Sequence, residues 1–362
     1  MSTPVQPVIP YDHTGYNTFY EHQIADTTGH TAEPFGKLLE PGLRRIFFET
    51  YGEVPEQFSR VFNVMKSNKA KENEWGMGAF GDWEARASEV DEVAYDTLSP
   101  GLERTYTHKA YTKGFMITRE LYEDEQYRQI AKFPKAMARA GRAFVEKTVA
   151  QQFHKAFTTG TNNEWAIYDT KALCAADHPL VDSTAVVSNK ITTELSEQGI
   201  EEALSLMRAC RDEAGNLITM RPNLLVIPPA LEWKAKKILH SASVPGSGDN
   251  DINPINGKLE IFVWDYLGSA CSGNTATDKY WFVMDTSMSE INFFWRIKPE
   301  FKWGEDFDTF VAKYRGYMRF SFGVSDWRGI VGSTGVTAAT PHITEVHVNS
   351  TEEDPIYFDE VE

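Results

Sequence analysis

The stretch from Thr105 to Gly160 limits the possible folds of this chain more than any other. An aromatic, β-branched run passes straight into roughly forty residues of helical signal. Thr118 closes the strand pattern and offers an N-cap hydroxyl to a helix beginning at Arg119. The pattern predicts helix over 119–132, a break at Phe133-Pro134, and a second helix over 135–158 stopped by Gly160. That second helix is about 24 residues, or about 36 Å at 1.5 Å per residue. At about 100° per residue, Met137, Gly141, Phe144, Val145 and Thr148 share one face, and Lys135, Arg139, Arg142 and Glu146 the opposite one.

Upstream, Trp83 to Leu98 and Glu103 to Thr118 favour strands around the turn signal Ser99-Pro100-Gly101, which predicts a long β-hairpin. Arg86, Arg104 and Lys113 alternate along it with Tyr95, Tyr106 and Tyr111. A two-stranded ribbon is marginal in water by itself. The hairpin is therefore read either as an arm that projects onto a partner or as a sheet hairpin covered by its own domain.

Residues 1–55 are rich in Pro and carry no sustained period, which predicts an extended arm with a short helix near Leu43–Thr50. A short helix is expected from Pro55 to Met65, with Phe58, Val61, Phe62 and Met65 on one face. Between 193 and 284, helices at Ser196–Arg211 and around Trp233 alternate with buried-strand runs at 224–227, 259–264 and 280–284, as in an α/β unit. Ile291–Trp303 and Phe310–Phe322 read as two long aromatic strands around a turn at Gly304-Glu305-Asp306. The tail from Thr337 to Glu362 is acidic.

With 36 Lys and Arg against 52 Asp and Glu, the net charge is −16, which argues against wholesale coating of nucleic acid or anionic membrane. Residues 128–155 run the other way, with seven bases and the single acid Glu146. Such a basic face is solvated, paired with nearby carboxylates, or set against an acidic partner or confined DNA. Cys174, Cys210 and Cys271 match neither zinc nor redox spacing, and no apolar run is long enough to span a membrane, so a reducing cytoplasm is expected.

Catalytic motifs are scarce. Cys174-Ala-Ala-Asp177-His178 gathers a thiol, a carboxylate and an imidazole, but nucleophilic catalysis needs the base aimed at the nucleophile, which adjacency in a loop does not supply. Glu120, Glu123, Asp124 and Glu125 resemble a carboxylate metal site, yet acids are stabilised at a helix start in any case. His108 reads as a packed or surface histidine. No cofactor or metal is called for.

The run Tyr106 to Tyr127, Asp177-His178-Pro179, Leu224 to Trp233 and Ser325-Asp326-Trp327-Arg328-Gly329, in that order, resembles the major capsid proteins of tailed bacteriophages, in particular the Mu-like major head subunit family. The resemblance implies an α+β chain with the Hong Kong 97-like (Johnson) fold. Its parts would be an N-terminal arm (1–65), an extended hairpin loop (66–118), a peripheral domain with a spine helix and long strands (119–192 and 285–336), an inserted axial α/β domain (193–284) and the acidic tail (337–362). It implies a shell protein, not an enzyme, that self-assembles into pentamers and hexamers of an icosahedral capsid around double-stranded DNA held without sequence-specific contacts. Scaffold and portal proteins are the implied partners, and a membrane is not. Assembly is expected in the bacterial host cytoplasm.

Inter-subunit contacts are expected at Arg86, Arg104, Tyr106, Lys109, Tyr111 and Lys113, and a basic spine-helix face at Lys135, Arg139 and Arg142. Nothing before residue 65 resembles the cleaved scaffolding segment of some relatives, which implies a separate scaffold. Two other readings stay open at this level: another phage component, of the tail or a decoration protein, and a cytoplasmic hydrolase built on Cys174, Asp177 and His178.

Overall fold

The computed structural model describes residues 35–77, 100–124, 127–180, 183–212, 216–241, 252–306 and 311–337. The expected first strand of the hairpin (Trp83–Leu98), Arg86, most of the arm and the acidic tail lie outside them. A 19-residue helix, α1 (Phe35–Glu53), comes first and runs through Pro41, where a shorter helix was expected. Proline removes one helical hydrogen bond, but Leu39, Leu43 and Phe47 at four-residue spacing bury one face and hold the helix together.

Two sheets and one long helix carry the rest. The first sheet has the order β1-β11-β12-β4, with β1 (Asn63–Lys66) parallel to β11 (Glu290–Asp306), and β12 (Val311–Asp326) antiparallel to both β11 and β4 (Lys109–Thr118). The two long aromatic strands pair as expected, but Gly304, Glu305 and Asp306 belong to β11 and do not form the expected turn; residues 307–310 lie outside the described residues. The register of β11 shifts between Ile297 and Glu300, where Pro299 has no N–H for the ladder.

A separate two-stranded ribbon pairs β2 (Lys71–Met77) with β3 (Pro100–Thr107). The expected hairpin loop of 66–118 is thus divided: β3 belongs to the ribbon, whereas β4 continues past His108 as the edge of the four-stranded sheet.

The spine helix, α2 (Lys132–His154), begins before Pro134 and not after it. Pro134 sits in the first turn, where its missing N–H would have had no helical partner. Ala138 of α2 packs with α1, Ile117 and Tyr314 in one core cluster, while Val145, Val149 and Phe153 enter the main core.

Beyond a short hairpin of β5 (His178–Leu180) and β6 (Ser183–Val187), the second sheet has the order β7-β13-β10-β8-β9. Its strands are β7 (Lys190–Thr193), β8 (Leu224–Ile227), β9 (Glu260–Val263), β10 (Trp281–Met284) and β13 (Ile330–Thr337), covered by α3 (Glu197–Arg208) and α4 (Glu232–Leu239). Every residue of β8 and β10 is buried, hence their unbroken apolar sequences. Ser196 caps α3, accepting from the Gly199 amide. β13 lies between β7 and β10, so 330–337 joins the sheet formed by strands from 190–284 and not the one formed by β11 and β12. Pro55–Met65 is not a helix: Phe58–Arg60 makes one 3-10 turn before β1, though Phe58, Val61 and Phe62 are buried.

Candidate assembly surfaces

The ribbon is rooted on β11 and β12 by three hydrogen bonds. Asn292 Nδ2 donates to Glu74 Oε2 at 2.7 Å, Ser325 Oγ donates to the same oxygen, and the Tyr106 hydroxyl donates to Ser325 Oγ. The buried Tyr106 ring lies 5.0 Å from that of Phe294 and against Gly323, where an added Cβ would meet it at 2.9 Å. Burial drives the Tyr106 hydroxyl far above its ordinary pKa, with Ser325 opposing. Arg104 is half-buried beside it.

His108 is the pivot between β3 and β4, and it is buried. Ser67 Oγ donates to Glu72 Oε1 at 2.7 Å, so it accepts from His108 Nε2 at 2.9 Å, which leaves Nδ1 to accept from Ser321 Oγ at 2.9 Å. The network fixes a neutral ring. Burial and the nearby Arg319 lower the histidine pKa, partly opposed by Glu72.

Lys109 and Lys113 are exposed on β4 at the sheet edge, whereas Tyr111 works inward: its ring is stacked 4.8 Å from Phe320 and set edge-on 4.9 Å from Phe144. Thr118 caps the following turn, accepting from the Leu121 amide at 3.3 Å. On α2, Lys135 and Arg139 are exposed as expected of a basic face. Arg142 is not part of that face. It is buried, paired with Glu56, and its guanidinium lies 4.4 Å from the Tyr51 ring. Glu146, also assigned to the polar face, is buried too: it accepts from the amides of Gln57 (2.7 Å) and Phe58 (3.3 Å) and from Trp264 Nε1 (3.2 Å). No local signal marks this junction, because its partners are about ninety or more residues away. Phe144, read as core, is 38% exposed.

The enzyme-like loop is structural. Cys174 is buried, and burial drives its thiol far up in pKa, away from the nucleophilic thiolate. His178 is turned elsewhere, with Nδ1 2.6 Å from Asp169 and Nε2 3.0 Å from Asn189, and it stacks on Trp327 with centroids 4.5 Å apart. Asp177 pairs with Lys171. The separated runs 177–179 and 325–329 therefore meet in one knot. Arg328 braces it, donating to the Arg211 carbonyl at 3.0 Å, and Gly329 supplies the turn at φ 86°. Among the described residues no His, Cys, Asp and Glu group is placed to hold a metal ion, and no helix is long and apolar enough to cross a membrane.

Residues 101–333, well over half of the chain, match the phage capsid protein family. The chain belongs to that family. The capsid protein is a building block of a phage capsid, and it combines one long helix, a pair of long antiparallel strands and a five-stranded sheet. Among solved structures it is similar to a chain of the bacteriophage JBD30 procapsid (14% identity, 84% of this chain and 76% of that one, TM-score 0.47). It is similar also to the bacteriophage JBD30 capsid (15%, 68% and 98%, 0.47) and to Microbacterium phage Oxtober96 (9%, 78% and 88%, 0.45). No curated protein matches the sequence.

Proposed function

We propose that the capsid protein closes its shell from pentamers and hexamers in which the ribbon of each copy lies over a neighbour. The observation that carries this is the build of the ribbon. Its root is tied to β12, but Trp75, one pair outward from Glu74 and Arg104, is 60% exposed. A two-stranded ribbon presenting an indole to water gains stability when another surface covers it.

The free edge of β4 offers a second contact, with Lys109, Lys113 and the 64% exposed Met116 along it, and Arg86 and Arg104 belong to the same inter-subunit reading. A scaffold and a portal protein direct assembly in the host cytoplasm. Double-stranded DNA fills the interior without sequence-specific contacts, kept from adhering by the net negative wall. Electron microscopy of the purified chain, alone and with its scaffold, is expected to show closed shells or rings. A chain that stays monomeric under every assembly condition refutes the proposal.

A further inference from the structure

The exposed side of α2 carries Lys132, Lys135, Arg139, Lys147 and Lys155 with no exposed acid among them, since Glu146 is turned into the core. Among the described residues none of these five cations forms an ion pair, in a chain of net charge −16. An unpaired basic stripe on so acidic a molecule calls for an anionic partner.

Two observations identify one within the chain. The first is charge: residues 338–362 hold seven carboxylates and neither Lys nor Arg. The second is reach. Just before β13 ends, Gly335 lies against the Lys279 carbonyl, and the adjoining Tyr280 ring is 4.8 Å from Phe157, three residues beyond the end of α2. The tail thus leaves the fold near the Lys155 end of the stripe. Its 25 residues span about 80 Å when extended at ~3.3 Å each, against about 35 Å for the helix.

The two patterns also agree in order. On the helix, Lys147 and Lys155 are separated from Lys132, Lys135 and Arg139 by Ala140 and the exposed Phe144. In the tail, Glu352-Glu353-Asp354 and Asp359-Glu360 flank Ile356-Tyr357-Phe358.

We propose that the acidic tail lies along the basic stripe of its own spine helix, neutralising that face before any other polyanion reaches it. The test uses the unassembled full chain, a variant ending after Thr337, and a full-length variant with the seven tail carboxylates changed to amides. Zero-length carbodiimide coupling of the full chain is expected to join tail carboxylates to Lys135 or Lys147. Acylation of the four stripe lysines should rise several-fold in both variants, with Lys71 and Lys298 unchanged. Retention of a short duplex DNA probe at low salt should rise about tenfold or more, as expected when several cations are unmasked.

Arg139→Glu with Lys147→Glu in the full chain should reduce the coupling without moving the melting midpoint. Equal acylation and equal DNA retention in all three proteins would overturn the proposal. So would coupling found only between copies carrying different isotope labels, which would assign the tail to a neighbour's helix.

Discussion

Replacing Glu146 probes the point where the spine helix, the segment after α1 and the axial unit meet. Its carboxylate accepts three hydrogen bonds: two backbone amides on Oε1 and the Trp264 indole on Oε2. Glu146→Ala leaves all three donors without their acceptor. At about 1–3 kcal/mol for each buried group, discounted because Gln57 is only half-buried, the loss is about 3–6 kcal/mol. Glu146→Gln keeps an oxygen for the two amides and sets an NH2 against the indole N–H, one mismatch worth about 1–2 kcal/mol. At about 2 °C per kcal/mol, melting midpoints should fall by about 6–12 °C and about 2–4 °C respectively.

Burial, opposed by the amides, the indole and Arg142, raises the Glu146 pKa. The folded chain therefore holds this proton more tightly than the unfolded one. The stability due to this group falls as pH climbs from the ordinary 4.5 through the raised value, and Glu146→Gln should remove that part of the slope. Calorimetric melts at a series of pH values from about 4 upward read both effects. If the amide variant melts as low as the alanine variant, or if both lie within about 1 kcal/mol of the parent, the donor-count reasoning is refuted.

Trp75→Ser should abolish shell formation in micrographs while changing the subunit's stability by no more than about 0.5 kcal/mol, since the indole is mostly exposed. Gly323→Ala drives a methyl into the Tyr106 ring and should destabilise the ribbon root by about 1–3 kcal/mol, seen as faster amide exchange across 71–77 and 100–107. His108 has a lowered pKa and is neutral in the fold, so the unfolded chain binds the extra proton first. Its contribution is complete above about pH 6.5 and is lost as pH falls toward the lowered value, so exchange at the root should quicken on acidification, and His108→Gln should remove that dependence. Cys174 should resist thiol reagents until the chain unfolds.

Elements whose pattern is local were legible in the sequence. The Thr118 cap, the helix beginning at Ser196, the apolar strands within 224–227 and 280–284 and the long aromatic pair each carry their cause within a few residues. Phe58, Val61, Phe62 and Met65 have helical spacing, yet 63–66 is claimed by parallel pairing with β11, and Asn63 donates to the Ser289 carbonyl at 2.8 Å. Distant pairing of that kind leaves no periodic trace. Arg142 and Glu146, placed by periodicity on the polar face, are buried. A helix wedged between two cores satisfies its polar residues with remote partners, so hydrophobic periodicity misassigns them. Of the candidate contacts, Lys109 and Lys113 lie exposed on an edge strand, whereas Tyr111 is drawn inward by Phe320 and Phe144.

The root of the ribbon acts mechanically as the fulcrum of a lever. Tyr106, Glu74 and His108 clamp both legs to β11 and β12, and from Glu74 the ribbon runs on through three more residues of β2 to Met77, about 10 Å at ~3.3 Å each. A tilt of about 5° at the clamp moves Met77 by about 1 Å, and any point farther from the clamp by proportionally more. If the ribbon lies over a neighbour as proposed, the side chains that set the angle between copies are not at the contact but at its base. Small repacking around His108 and Gly323 would then alter the curvature of a whole shell while leaving every interfacial residue unchanged.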